Sequence, residues 1–408
     1  MTRNDSGATA ILVGLMATVL IGMMAFTVDF GMAYANKRQL QTAADAAALG
    51  AAGVFASSQK FACNEVLTDK YGAANTEATT KVTQNAPGTG TAALTTYSAT
   101  CTDKGIEVAA TVTGTSPNFF GKILGKTDDY QVGRTATAVV EASTGGSGVR
   151  PLAICSGDLP SPVLAGTPFY IKLPGEGMAI GGDCPVPPNP GNWWTLDCPD
   201  ESSDDGSVGN GNGNSALVEQ IKFGCPKPVT IVDKQTNDLG EYVSPSDLNN
   251  VLASACPSVS TSAPYQCLGG DPGQPDAGQV ENSWKYLIDN RVQTLIPVFC
   301  APSQCQSSSV TGTGTNAVFP VHKFVSVTIC GYHFGQQNNK RHRATLSGTD
   351  LCSPASTQLT ALDTDSTDDV YLVVVFINAQ TSGSTVPSKC KFDDVKCNTG
   401  VRQVRLVK

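Results

Sequence analysis

Residues 7–57 read GATAILVGLMATVLIGMMAFTVDFGMAYANKRQLQTAADAAALGAAGVFAS, and this stretch decides the fold. Its first part, 7–28, carries no charged side chain. As a helix that part would span roughly 33 Å, enough to cross a hydrocarbon core of about 30 Å. Asp29 ends the uncharged run, but the following residues contain no Pro and are rich in Ala, which favours helix. The stretch predicts one continuous helix, with its first half in lipid and its second half outside.

Two other interpretations of the uncharged run remain open at this point. A cleaved secretory signal is one, because Ala33-Tyr34-Ala35 has the small-x-small form of a cleavage site. The run is longer than the usual apolar region of such a signal, and Asp29 lies between it and the site. The other is a buried helix of a soluble core, a role for which an uncharged run of this length is unusual.

The order of residues after the uncharged run is also informative. Val-Asp-Phe-Gly stands at 28–31, Ala-Tyr at 33–34, Lys-Arg-Gln-Leu-Gln at 37–41 and Ala-Ala-Asp-Ala-Ala-Ala-Leu at 43–49. This arrangement resembles the N-terminal segment of the Tad (tight adherence) family, the TadE/TadG-like proteins of Flp pilus assembly. The motif residues here are Asp29, Gly31, Arg38, Gln41, Ala44, Asp45 and Ala46. The resemblance covers about an eighth of the chain. It implies an anchored assembly or accessory component whose partners are Tad secretion and pilus-assembly proteins.

Composition limits what the rest of the 408-residue chain does. The net charge is −8 and only 15 % of residues are charged, which argues against a nucleic-acid binder because such a protein would show a basic stripe. All 14 cysteines lie at or after Cys63 in a chain rich in Gly and Pro. An even count without metal-type clustering indicates a disulfide framework formed in an oxidising compartment. We therefore expect a single-pass protein of the cell membrane with the bulk of the chain extracytoplasmic.

The sequence predicts an α+β fold: a long N-terminal transmembrane, pilin-like helix packed on a small antiparallel sheet, followed by a larger, disulfide-rich, mainly β domain. We expect a cytoplasmic tail and anchor at 1–28, the helix and sheet at 29–143, a linker at 144–149 and the β domain at 150–408. The segment STGGSG at 143–148 is flexible by composition. Strands are predicted at 93–102, 105–115, 132–142, 169–173, 229–232, 293–299, 322–329, 370–378 and 401–407. Short helices are predicted at 118–124, 215–223, 246–253 and 283–288, and the polar stretch 76–91 is predicted as loop.

Disulfide pairs are proposed from nearness along the chain and from the expected helix–sheet packing. The candidates are Cys63 with Cys101, Cys256 with Cys267, Cys330 with Cys352, and Cys390 with Cys397. Connectivity cannot be deduced from a sequence, so pairing of each elsewhere remains open.

Sequence motifs of catalysis are lacking. The three histidines do not form His-Glu-x-x-His, and the chain contains neither a Gly-x-Ser-x-Gly elbow nor a phosphate-binding Gly-x-x-x-x-Gly-Lys loop. We predict no enzyme and no catalytic, cofactor or metal site. The one candidate is Ca²⁺ at the acidic loop that contains Asp200, Asp204 and Asp205, although an acidic, Gly-rich loop is usually just solvated. The basic run 340–343 is a second surface feature, with a charged loop tip as its plain interpretation.

These observations favour a membrane-anchored structural or accessory component of Flp pilus assembly or surface adhesion. Its expected contacts are lipid of the cytoplasmic membrane, Tad components, and cell-wall or host surfaces. The first alternative is a secreted or surface-bound adhesin unrelated to a pilus. The second is an exported hydrolase, for which the sequence offers no motif.

Overall fold

The structure is a computed structural model. It describes residues 6–173, 195–199, 214–232, 235, 243–271, 273–300, 309–312, 316–335, 340–381, 387–395 and 398–407. The helices are α1 (Ser6–Ala56), α2 (Cys63–Gln84), α3 (Asn214–Phe223), α4 (Pro245–Ala255), α5 (Gly278–Asp289) and α6 (Ser356–Thr364). Strands β1–β8 are Ala93–Thr102, Gly105–Ser116, Tyr130–Ala142, Gly145–Gly146, Ile154–Cys155, Pro168–Lys172, Leu196–Asp197 and Val229–Thr230. Strands β9–β16 are Cys267–Gly270, Gln293–Phe299, Val318–Pro320, Lys323–Phe334, Arg341–Arg343, Val370–Phe376, Ala379–Gln380 and Val401–Leu406.

Helix α1 is unbroken across both halves of the decisive stretch. Its second half buries a stripe of small and aliphatic side chains against the first sheet. The fully buried members include Leu40, Ala43, Ala44, Ala47, Ala48, Ala51, Ala52 and Phe55. Alanine lets helix and sheet approach closely, and the long helix packed on an antiparallel sheet is confirmed.

Helix α2 extends farther than the sequence indicated. Residues 76–84 were predicted as loop, whereas the structure continues the helix to Gln84. Ala74, Ala78 and Val82 recur every four residues and are buried in the same core as α1. On the polar side, threonine hydroxyls such as that of Thr80 donate to the carbonyl four residues earlier. The buried apolar stripe therefore outweighs the weak helix propensity of threonine.

The first sheet has the strand order β1-β2-β3-β16-β15. A turn containing Gly105, at φ 147°, joins β1 to β2; a Cβ there would lie 1.8 Å from the carbonyl oxygen of Val140. Strand β16, predicted within the second domain, pairs antiparallel with β3, with Arg402 opposite Ala142 and Leu406 opposite Ala138. The C-terminal part of the chain thus completes the sheet on which α1 packs.

The segment expected to be a flexible linker is held in place. Gly145 and Gly146 are buried and pair with Val229–Thr230. The amide of Ser143 donates to the carbonyl of Val401 at 2.9 Å. Composition alone missed this because glycine suits both flexible chain and close packing; the domain boundaries themselves stay a prediction.

The second sheet has the order β5-β10-β12-β14-β6, with β13 also paired to β12. Every residue of β12 and β14 is buried. Helices α3, α5 and α6 contribute to its core, with Trp284 of α5 among the largest fully buried side chains. Helix α6 was not predicted. Two smaller sheets, β11-β9-β7 and β4-β8, complete the described strands.

Four disulfides join described cysteines. They are Cys63–Cys101, Cys198–Cys225, Cys256–Cys267 and Cys330–Cys352. Three of these are pairs that nearness along the chain or helix–sheet packing had favoured. Cys390 is also disulfide-bonded, and Cys397, its predicted partner, lies outside the described residues.

Candidate functional site

Nearly all side chains in the first half of α1 are exposed. Large apolar side chains from Ile11 to Val28 are between 48 and 68 % exposed, and none of those described is buried. Within the described chain, α1 is the single helix long and apolar enough to cross a membrane. This exposure rules out a buried helix of a soluble core, because such a helix would be covered on most sides.

Asp29 is the first charged residue after the apolar run. The folded part of the chain from Asp29 onward is called the head below. The Asp29 side chain is only 2 % exposed. The carboxylate accepts hydrogen bonds from the backbone N–H groups of Phe119 at 3.1 Å, Phe120 at 2.9 Å and Gly121 at 2.8 Å. These amides lie at the start of a 3₁₀ turn, Gly121–Leu124. A carboxylate there satisfies donors that have no partner within the turn and compensates for its own burial.

The loop held by Asp29 is fixed by its own contacts as well. The amide of Asn118 donates its Nδ2 hydrogens to the carbonyls of Lys126, at 3.0 Å, and Asp128, at 3.3 Å. The backbone N–H of Asn118 donates to Asp129 Oδ1 at 3.2 Å. A Cβ on Gly121 would lie 2.1 Å from Asn118 Oδ1, so this approach requires glycine. The loop 118–129 is therefore a preformed structure against α1.

A second polar contact lies two turns farther along α1. Asn36 is 3 % exposed and donates from Nδ2 to Ser116 Oγ at 2.9 Å, while its Oδ1 accepts from Thr89 at 3.3 Å. Sequence reasoning missed Asn36. Its spacing of seven residues from Asp29, which places both on one helix face, was the available signal.

The other motif residues of α1 have different surroundings. Ala44 is fully buried in the helix–sheet core, whereas Gly31 and Arg38 are exposed. Gln41 donates from Nε2 to Asp45 Oδ1 at 2.8 Å along the helix surface. Ala46 is half-buried. Thus Asp29 and Ala44 are the buried motif residues, and the other five are half-buried or exposed.

The far end of α1 is held by Arg402 of β16. Its guanidinium donates to the carbonyl of Phe55, in the last turn of the helix, and to those of Ser58 and Lys60, which follow it. Arg402 is fully buried, with its guanidinium carbon 5.1 Å from the centre of the Phe392 ring. Burial lowers the pKa of Arg402 to about 10, so the side chain stays charged at neutral pH. A cation at this end also complements the helix dipole.

The predicted calcium loop is not part of this arrangement. Asp200, Asp204 and Asp205 lie outside the described residues. Across the ranges that the structure does describe, no group of three or more His, Cys, Asp or Glu is placed to hold a metal ion. Calcium at that loop stays a prediction.

The basic run 340–343 is neutralised by acidic neighbours. Lys340 Nζ lies 2.7 Å from Glu281 Oε1, and Arg343 Nη2 lies 2.9 Å from Asp363 Oδ2. His342 Nε2 lies 2.8 Å from Asp289 Oδ1. With these partners the run does not present a free cationic patch to an anionic polymer.

Comparison with known proteins supports the interpretation of α1 as a family segment. Residues 7–54 match the family model described as Putative Flp pilus-assembly TadE/G-like. The match covers both the exposed apolar half of α1 and most of the half that packs on the first sheet, and it confirms the resemblance of the N-terminal segment to this family. No curated protein and no solved structure matches the chain.

Proposed function

We propose that this protein is a membrane-anchored structural component of Flp pilus assembly, with its disulfide-bonded head outside the cytoplasmic membrane. The observation that carries the proposal is α1 itself. One unbroken helix is apolar and exposed before Asp29 and packed on the head's own sheet after it. The same helix contains the match to the pilus-assembly family.

Two polar contacts that hold α1 against the head, those of Asp29 and Arg402, support a role in fixing the position of the head relative to the anchor. Asp29 ties the helix to the loop 118–129 at the end of the apolar run, and Arg402 ties its last turn to β16. Between them the helix is buried against the sheet. The same continuous helix therefore forms both the anchor and part of the head.

Disulfides support placing the head outside the cytoplasm. The four bonds between described cysteines tie elements of both sheets and their loops. Such bonds form and persist in oxidising compartments. We assign no catalytic role, in keeping with a structural or accessory function.

Membrane attachment is tested by charging the exposed apolar face. Leu15→Arg combined with Val19→Arg places two charges one turn apart in the middle of the run, at side chains 64 and 56 % exposed. Each Arg there opposes insertion by about 2.5–3.5 kcal/mol. After alkaline extraction of membranes, we expect the unsubstituted chain in the pellet and the double variant in the supernatant.

The matched control uses the same spacing and exposure beyond the run. Phe30→Arg combined with Tyr34→Arg alters side chains 65 and 57 % exposed on the same helix. This variant should stay in the pellet. An unsubstituted chain found in the supernatant would refute the anchor.

The pilus assignment is tested by affinity capture from detergent-solubilised membranes. We expect pilus-assembly components to co-purify with the unsubstituted chain and to be lost with the Leu15→Arg, Val19→Arg variant. Capture of none of them, from membranes in which they are present, would instead favour a surface binding module unrelated to a pilus.

A further inference from the structure

Two aromatic side chains project into solvent from the loop that Asp29 holds. Phe119 is 54 % exposed and Phe120 is 38 % exposed. Their backbone nitrogens lie within 3.1 Å of the Asp29 carboxylate, which accepts a hydrogen bond from each. Both rings are therefore carried at the level of α1 where the uncharged run ends.

The exposure of α1 changes on the uncharged side of Asp29. Ala25 lies four residues before Asp29, about 6 Å along the axis and on the same helix face. It is half-buried, whereas every other residue of 9–28 is exposed, including Ala17 of the same type.

We propose that Phe119 and Phe120 insert into the interfacial region of the bilayer beside α1, giving the head a second contact with the membrane. The proposal rests on the anchoring function above. The exposed apolar surface of α1 extends to within one turn of Asp29, where Phe26 is 65 % exposed. Apolar rings at this depth gain by leaving water for the boundary between headgroups and acyl chains.

The charges of the loop indicate that the contact is apolar and does not select anionic lipid. Lys122 Nζ lies 3.6 Å from Asp129 Oδ1, and Lys126 Nζ lies 3.8 Å from the centre of the Tyr130 ring. With Asp128, the segment 119–130 carries two lysines and two aspartates. Its net charge is zero, so attraction to a negative surface adds little.

The fixed conformation of the loop 118–129 also favours insertion of Phe119 and Phe120 into the bilayer interface. The loop is held by Asp29 from one side and by the Asn118 amide from within. The rings are thus presented in place, and insertion does not require the loop to be ordered first.

The test uses single tryptophan substitutions in the full chain, reconstituted in bilayer nanodiscs of phosphatidylcholine. Phe119→Trp reports the proposed contact, Phe26→Trp reports the anchor, and Phe223→Trp, at a side chain 60 % exposed on α3, reports the head away from it. Emission of each variant is measured in ordinary lipid and in lipid brominated on the acyl carbons nearest the headgroups. The signal of the three native tryptophans is subtracted using the unsubstituted chain.

We expect brominated lipid to quench the Phe119→Trp and Phe26→Trp signals by about twofold or more and to leave the Phe223→Trp signal unchanged. Replacing a third of the phosphatidylcholine by phosphatidylglycerol should not alter the Phe119→Trp result. Quenching of Phe26→Trp without quenching of Phe119→Trp would overturn the interfacial contact while leaving the anchor intact. A blue-shifted but unquenched Phe119→Trp signal would overturn it too, in favour of a protein partner. No quenching of Phe26→Trp would refute the anchor itself.

Discussion

The Asp29 carboxylate lies 2.8 Å from the backbone nitrogen of Gly121, although the two residues are 92 positions apart in the chain. This contact joins the end of the apolar run to the loop between β2 and β3. Together with the N–H groups of Phe119 and Phe120, it gives the buried carboxylate three hydrogen-bond donors and fixes the position of the loop 118–129 along α1. The motif aspartate therefore has a structural task that its place in the sequence does not reveal.

Replacing Asp29 should release the loop. In Asp29→Asn the side chain keeps one acceptor oxygen, and its NH₂ group would face amides that also donate. Hydrogen bonds to a charged group contribute about 1.5–3 kcal/mol each, so we expect amide exchange at Phe119–Gly121 to accelerate by about 10- to 100-fold. The measurement is hydrogen exchange read by mass spectrometry on the detergent-solubilised chain.

Asp45→Asn is the matched control for that experiment. Asp45 belongs to the same motif but is half-buried and accepts from Gln41, a bond that an amide oxygen preserves. Its effect on exchange at 119–121 should be negligible. Unchanged protection in Asp29→Asn would show that the loop holds without the carboxylate.

Loss of Arg402 should destabilise the helix–sheet unit. Arg402→Met keeps much of the volume but leaves the carbonyls of Phe55, Ser58 and Lys60 without this donor. We expect a loss of about 2–4 kcal/mol in the free energy of unfolding, measured by urea denaturation. Arg38→Met, at an exposed position of α1, should change it by less than about 0.5 kcal/mol. Equal effects of the two substitutions would contradict the role given to Arg402.

Lys323 makes stability depend on pH in the alkaline range. Its side chain is 7 % exposed, and burial lowers its pKa from 10.5 to about 8. Between these values the unfolded chain binds more protons than the folded one, so stability rises with pH across this window. Between pH 8 and 10.5, we expect the unfolding free energy of the unsubstituted chain to increase relative to that of Lys323→Met by on the order of 3 kcal/mol. Other titrating groups cancel in the difference, and parallel curves for the two proteins would disprove the assignment.

The Cys63–Cys101 bond closes a 38-residue separation between the start of α2 and the end of β1. On the chain-entropy account, replacing both cysteines by serine costs about 4 kcal/mol. The same change at Cys256 and Cys267, separated by 11 residues, costs about 3 kcal/mol. We expect calorimetry to show the larger fall in Tm for the first pair. A reversed order would mean that local packing outweighs loop length.

Local patterns in the sequence predicted much of the fold. The absence of Pro and the wealth of Ala predicted a helix over 7–57, within one residue of α1 at each end, and the predicted strand 93–102 has the bounds of β1. These elements are set by neighbours along the chain. The turn between β1 and β2 is local as well, because Gly105, at φ 147°, adopts a backbone conformation that favours glycine.

The parts that failed depend on contacts between distant residues. Strand β16 was recognised as a strand, but its pairing with β3 is a long-range choice that a period of two does not specify. The C-terminal part of α2 was predicted as loop because of its threonines. The spacing of Ala74, Ala78 and Val82 indicates a helix only once it is known that α1 covers their side chains. Asp29 was recognised through its motif, yet its partners, backbone amides at 119–121, carry no signal in the sequence.

The placement of β16 sets an order on how the molecule matures. The sheet beneath α1 lacks an inner strand, and the last turn of α1 lacks its guanidinium partner, until residues 401–406 have been synthesised and folded. The unit of α1 and the first sheet is therefore begun first and completed last. A chain interrupted before residue 401 would display an open sheet edge along β3, where residues 402–406 pair in the finished protein.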